Sequence, residues 1–334
     1  MNIKKAAFCY VLSIIMVLFT SCQVMSSTKS IDFFAMDTVI SLKISGKQAD
    51  TALTQTKKEI KRLEGIFSNT IEHSDISMIN QNFQADFETI HPETKEILQL
   101  SNHLSEETNG CFDITLGNFV KLWGFTEETK RVPSPIELQQ AQQHVGNAHL
   151  KLADGILLEQ QIQLDLGAIA KGYITDQAVN LLQQYDIDSA ILSIGGNVSV
   201  IGNQQQPFQV GIANPMQPDT LIGSISVSNC AIVTSGDYQR YFEQDGIRYH
   251  HILDPKTGYP ANQGLSSVTV ICESAALADA YATALFVMGL DTGIQFVENH
   301  PEIEAIFVTK EGQVKCSTGI DSQFTPHSNV QVIS

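Results

Sequence analysis

Asp279 and Thr283 stand four residues apart inside Glu273–Leu285, a stretch dominated by Ala and Leu. It holds no Gly or Pro, and Gly289 stands just past its end. That composition predicts a helix, on which a carboxylate and a hydroxyl share one face a turn apart. The neighbouring side chains are mostly methyl groups, which let a backbone or a ligand come close. Two hard oxygen ligands without Cys or His suit Mg²⁺ or Ca²⁺ better than Zn²⁺. The pair is too poor to hold an ion alone, but Mg²⁺ commonly completes its shell with substrate phosphates and waters. One reading is therefore a metal-assisted phosphate site. The other is a buried helix, with Thr283 bonded back to the helix and Asp279 capping a neighbour. On spacing alone the second is favoured.

Two further stretches carry chemistry. Asp165-Leu166-Gly167-Ala168-Ile169-Ala170-Lys171-Gly172 predicts a strand, a turn and a helix with Lys171 in its first turns. That is either an anion cradle without P-loop spacing or an ordinary strand–turn–helix joint with a surface Lys, and the stretch taken alone favours the second. Tyr249–Pro260 holds His250 and His251, which point to opposite faces if the strand continues. Asp254–Gly258 is turn chemistry. A single inward His is more often structural than catalytic. Trp123, the only Trp, is either a buried anchor or a ring platform for a ligand.

The elements that must position these residues alternate along the chain. Ile31–Ile44 reads as one strand containing Met36-Asp37-Thr38. Helices are expected over Asp50–Ile66, from Asp75 with Ser74 or Asp75 as cap, over Pro92–Thr108 and after Pro133. Leu150–Leu166 reads as two strands joined through Asp154-Gly155. Further strands are expected over Ser189–Ile194, Phe208–Ile212, Gly223–Val227, Ala231–Ser235, Ser266–Cys272 and Ala305–Val308. Gly195-Gly196-Asn197 marks a sharp turn or a close backbone approach. The expected class is α+β, with mainly antiparallel sheet and packed helices.

A chain of 334 residues with 43% apolar and 17% charged residues can bury a large core. Its formal charge of −16 and lack of a basic stripe argue against a nucleic-acid partner. Lys4 and Lys5 precede the apolar run Ala6–Phe19, followed by Thr20-Ser21-Cys22. This reads as a signal peptide over 1–21, too short for a membrane span. Cys22 resembles the lipobox Cys of bacterial lipoproteins. Residues 22–30 would then be a lipidated tether and 31–330 the folded domain, exported and lipid-anchored on the periplasmic side of a bacterial membrane. The remaining Cys, at 111, 230, 272 and 316, show no zinc spacing and read as unpaired core residues.

Taken in order, seven motifs resemble the FAD:protein FMN transferases, the ApbE-type lipoproteins. They are Met36-Asp37-Thr38, Gly110–Gly117, Leu122–Phe125, Asp165–Gly172, Gly195–Asn197, His251–Gly258 and Asp279–Thr283. The resemblance spans nearly the whole mature chain. It implies one two-lobed unit with FAD between the lobes. It implies transfer of FMN from FAD to a Thr or Ser hydroxyl of an acceptor protein, an FMN-carrying redox protein, with release of AMP. It also implies Mg²⁺ held by Asp279, Thr283 and the main-chain oxygen of Ala168. Met36, Cys111, Phe112, Asp113, Asp165, Lys171 and Leu253 match positions lining the FAD pocket. Thr70 stands where many members have an aromatic that stacks on the flavin, and Ala282 where some have an acid. The missing ring favours hydrolysis over tight holding. The catalytic base falls to His251 or to Asp279. The alternatives are an FAD pyrophosphatase and a non-catalytic flavin-binding lipoprotein.

Overall fold

A computed structural model describes residues 26–125, 129–202, 205–328 and 330–333. The proposed signal peptide and Cys22 lie outside the described residues. No helix among the described residues is long and apolar enough to cross a membrane.

The fold is α+β, built on a nine-stranded sheet. In spatial order its strands are Ser27–Ala35, Thr38–Gly46, Ile187–Ile194, Asn197–Ile201, Cys230–Gly236, Leu265–Cys272, Ile303–Thr309, Gln313–Cys316 and Gln331–Val332. All neighbours are antiparallel except the last pair. The central strands are apolar on both faces because both are covered. Every residue of Leu265–Cys272 is buried. Alternate side chains enter different cores. Val233, Val268, Val270 and Phe307 face the helical side. Ile232, Ile271, Ile306 and Val308 face a three-stranded sheet, Phe208–Asn214, Gln217–Val227 and Phe324–Pro326.

The helical layer includes Ala49–Phe67, Asp75–Asn82, Pro92–Glu107, Ala170–Leu182 and Ala275–Met288. Ser74 caps the second of these. A third, smaller core joins the helices Gly117–Trp123 and Pro135–Ala141 to the hairpin Tyr241–Gln244/Ile247–His250 through Phe119, Trp123, Leu138 and Leu253. Trp123 is fully buried and its Nε1–H donates to the Gly258 carbonyl at 2.7 Å. The ring is a structural clasp, so the ligand-platform reading is set aside.

Three sequence expectations change. Ile31–Ile44 is a hairpin rather than one strand. Met36 and Asp37 sit at its tip with φ of 52° and 54°, the left-handed pair that a two-residue turn matched to strand twist requires. The sheet begins at Ser27, whose strand pairs residue by residue with Thr38–Gly46, so the end of the expected tether is ordered. Gln331–Val332 also belongs to the sheet, which therefore runs past residue 330. Finally, the strand Gly155–Leu158 does not run on to Leu166. A 3-10 turn over Glu159–Gln161 follows it.

Candidate functional site

The site is assembled where two helices approach. In Ala170–Leu182, a Cβ on Gly172 would lie 2.2 Å from the Ala275 carbonyl oxygen. Only glycine permits that contact. Opposite it, Ala275–Met288 offers mainly alanines, which keep the two backbones close. Its N-terminus is capped twice. Ser274 Oγ accepts from Leu277 N at 3.3 Å. Asp176 accepts from Ser274 Oγ and from the main-chain N–H groups of Ala275 and Ala276 at 2.7, 2.7 and 3.0 Å. Burial pushes the Asp176 carboxyl up, against those three hydrogen bonds.

Asp279 is buried at 3% exposure. Its Oδ2 accepts the Gly172 main-chain N–H at 3.0 Å and its Oδ1 accepts Asn197 Nδ2 at 3.2 Å. Lys171 Nζ lies 3.4 Å from both oxygens. Gly172 is in the first turn of its helix, where the preceding Ile169 supplies no side-chain cap. Asp279 thus caps the neighbouring helix, as the second reading of the sequence expects. It does so beside the Lys171 ammonium. Thr283, one turn on, bonds Ser235 Oγ at 3.2 Å, not its own helix.

Asp165 lies on the approach to this helix pair. Its carboxylate accepts from Gly167 N and Asn69 Nδ2, both at 2.8 Å. Burial pushes it up, while those bonds and the charges of Lys171 and Arg240 pull it down. His251 senses the same two cations. Burial first, then Arg240 and Lys171, lower it to about 3. Its Nδ1 donates to the Arg240 carbonyl at 3.2 Å, leaving Nε2 as the acceptor. His250 is a core residue. It donates from Nε2 to the Ala261 carbonyl at 3.0 Å and is lowered to about 4, chiefly by burial. His251 follows the last strand residue, His250, so strand alternation no longer governs it.

Met36, half-buried at the hairpin tip, is fixed by its N–H donating to Glu64 Oε1 at 2.5 Å. Thr70 is exposed and pairs with Ser68 Oγ at 3.0 Å. Cys111 senses the charges of Lys256 and Asp254, and burial raises its thiol. Phe112 is fully buried in the main core, so only its main chain can reach a ligand. Asp113 is locked by Thr115 N and Oγ1, both at 2.7 Å, and by Asn147 N at 3.1 Å. It lines a cleft of about 810 Å³ with Asn109, Asn147, Pro255 and Lys256. Leu253 is buried in the Trp123 core, not on an open wall.

The structure therefore joins Asp165, Lys171, His251, Asp279 and Thr283 through shared contacts and fields. Phe112 and Leu253 stand apart as packing residues. Asn69 and Asp176 escaped the sequence reading. Their partners lie far off in the chain, and no short motif announces them. Asn197 and Ser235 were visible only as the end of a turn motif and the end of a strand.

Comparison with known proteins gives a consistent result. The model of the ApbE family matches residues 36–307. The chain is 34% identical over 280 residues to an FAD:protein FMN transferase of Klebsiella pneumoniae, covering 82% of this chain and 87% of that protein. It is 32% identical over 295 residues to one of Treponema pallidum, covering 82% and 81%. The crystal structure of the ApbE protein of Thermotoga maritima superposes with a TM-score of 0.83 at 33% identity, covering 90% of this chain and all of that one.

Proposed function

The chain belongs to the ApbE family and is a transferase of that family, and from that premise we propose that it moves the FMN half of FAD onto a Thr or Ser hydroxyl of an acceptor protein. AMP is the other product. The acceptor is a redox protein carrying covalent FMN. The enzyme is exported and held to the membrane by lipid on Cys22.

The observation that carries this reading is the buried Asp279 carboxylate with the Lys171 ammonium 3.4 Å from both its oxygens. A lone carboxylate at 3% exposure would be costly, and it is compensated by charge and hydrogen bonds. Asp279, Thr283 and the Ala168 carbonyl oxygen would hold Mg²⁺. The fit is chemical, since all three are hard oxygen donors with no thiolate or imidazole beside them. Bound there, the ion would neutralise charge on the pyrophosphate oxygens as the bond to AMP breaks.

The protein's own residues do the rest. Lys171 donates to the Gly167 carbonyl at 3.1 Å as well as facing Asp279, so its charge is fixed where an anionic diphosphate would lie. Asp165, tied by Asn69 and Gly167, keeps the turn before the helix in shape. His251 is neutral at ordinary pH and presents Nε2, but its basicity is poor because burial and the charges of Arg240 and Lys171 lower it. A diphosphate on those cations removes two causes of the depression. His251 then becomes a better acceptor for the hydroxyl proton with substrate in place.

The test uses purified protein, FAD, Mg²⁺ and an acceptor bearing a reactive Thr. The reading expects AMP, and flavin fluorescence that stays with the acceptor after denaturation. AMP without flavinylated acceptor would replace it with FAD pyrophosphatase, which the exposed, ring-less Thr70 favours. Bound FAD surviving Mg²⁺ intact would leave only a flavin-binding protein.

A further inference from the structure

Asp279 and Tyr281 are two residues apart, so they point about 200° apart around their helix. Tyr281 faces a different group. Glu107, His300 and Glu302 each offer a ligand atom, and these atoms lie within 4.8 Å of one another. We propose that these three side chains form a second metal site, for Zn²⁺ or a first-row cation of like preference. That ion would tie the end of the Pro92–Glu107 helix to the His300–Glu302 turn, with Tyr281 of the Asp279 helix holding Glu107.

The histidine is prepared for ligation. Its Nδ1 donates to the Phe296 carbonyl at 2.6 Å. Its ring stacks on Phe296 with centroids 3.8 Å apart and planes 15° from parallel. The proton is thereby placed on Nδ1 and the Nε2 lone pair is turned outward, the arrangement found at metal-ligating histidines. Nε2 lies 3.3 Å from Glu107 Oε1. In a neutral ring, that sets a lone pair against a carboxylate, which a cation between them would reconcile. Ligands about 2.0–2.1 Å from a tetrahedral ion are separated by about 3.3 Å.

The second carboxylate oxygen of Glu107 accepts from Tyr281 OH at 2.6 Å, which orients the group. Glu106 and Glu107 also end their helix with no basic residue in the last turn. Acids there meet the negative end of the helix dipole, and a cation offsets both. Glu107 and His300 keep 25% and 22% side-chain exposure, so an ion can enter from solvent. Glu302 is exposed, and its ligand atom already lies within that 4.8 Å group. With a nitrogen, two carboxylates and no thiolate, the set suits a borderline ion with water as fourth ligand.

The test adds Co²⁺ to the purified chain and reads visible d–d absorption, then measures Zn²⁺ by equilibrium dialysis. Wild type should show tetrahedral Co²⁺ bands and retain one Zn²⁺ at this site. His300→Ala should lose the bands and at least tenfold in Zn²⁺ affinity. Zn²⁺ should raise the unfolding midpoint of wild type and not of His300→Ala. Asp279→Asn should keep both bands and affinity, so failure of the flavin-site reading and failure here are separable. Should His300→Ala not fold by circular dichroism, Glu302→Gln, at an exposed position, carries the same comparison. Absent bands in wild type, or equal Zn²⁺ affinity in the variants, would mean an imidazolium–Glu107 ion pair and no metal site.

Discussion

Asp176 and Asp279 cap each other's helices. Asp176, on Ala170–Leu182, accepts the first N–H groups of Ala275–Met288. Asp279, on Ala275–Met288, accepts the Gly172 N–H in the first turn of Ala170–Leu182. Each carboxylate sits near the positive end of the other helix, where negative charge is favoured. The candidate metal-binding aspartate is thus one half of a reciprocal lock.

Asp176→Ala should therefore reach the chemistry without touching it. Loss of an N-cap acceptor costs about 1–2 kcal/mol, read as a lower urea midpoint. Flavin transfer should fall in kcat because Asp279 loses its register, with FAD affinity less affected. Asp176→Asn, which keeps one acceptor oxygen and turns an NH2 towards the remaining donors, should recover only part of both. Full activity in Asp176→Ala would separate the lock from the site.

Gly172→Ala sets helix propensity against packing. Alanine favours a helix over glycine by about 1 kcal/mol. Here its Cβ would meet the Ala275 oxygen at 2.2 Å, and backbone cannot step aside as a side chain would. Overpacking of this kind typically costs about 1–3 kcal/mol. Net destabilisation and reduced transfer are expected, measured by denaturant unfolding and AMP release.

Asp279→Ala should abolish Mg²⁺-dependent AMP release, a drop in kcat/KM of about 10³ or more, equivalent to about 4 kcal/mol. Chromatography of the nucleotide products over a Mg²⁺ series measures it. Turnover that stays Mg²⁺-dependent would move the ion elsewhere.

The buried histidines set a pH response. His250 and His251 are lowered to about 4 and about 3 in the folded protein, against about 6.5 unfolded. Between those values the unfolded chain binds more protons, so stability rises with pH and is lost as pH falls from about 6.5 towards 4. Urea midpoints across that window should show the slope. His250→Phe should make it shallower. An unchanged slope would mean that His250 titrates alike in both states.

Trp123→Phe removes the donor that holds the Gly258 carbonyl. An unsatisfied buried acceptor costs about 1–3 kcal/mol. The His251–Pro260 loop should become the first site of limited proteolysis, while the nine-stranded sheet keeps its far-ultraviolet signal.

Local pattern carried most of the elements. Apolar alternation and caps located Ile187–Ile194, Leu265–Cys272 and the Asp279 helix to within a few residues. The hairpin at Met36-Asp37 did not announce itself, because Met is not a usual φ > 0 former and no Gly follows to complete the turn signal. The Asp279–Thr283 spacing was legible, but its partners Gly172, Asn197 and Ser235 meet it only through sheet order. Phe112 shows the converse limit. A motif position was visible, and its burial was not.

The sheet's two edges come from opposite ends of the chain, Ser27–Ala35 at one side and Gln331–Val332 at the other. During synthesis, the opening hairpin must wait for Ile187–Ile194 before it gains a neighbour. Such distant pairing is slow. The nine-stranded sheet is therefore complete only when Ser27–Ala35 and Gln331–Val332 have both joined it.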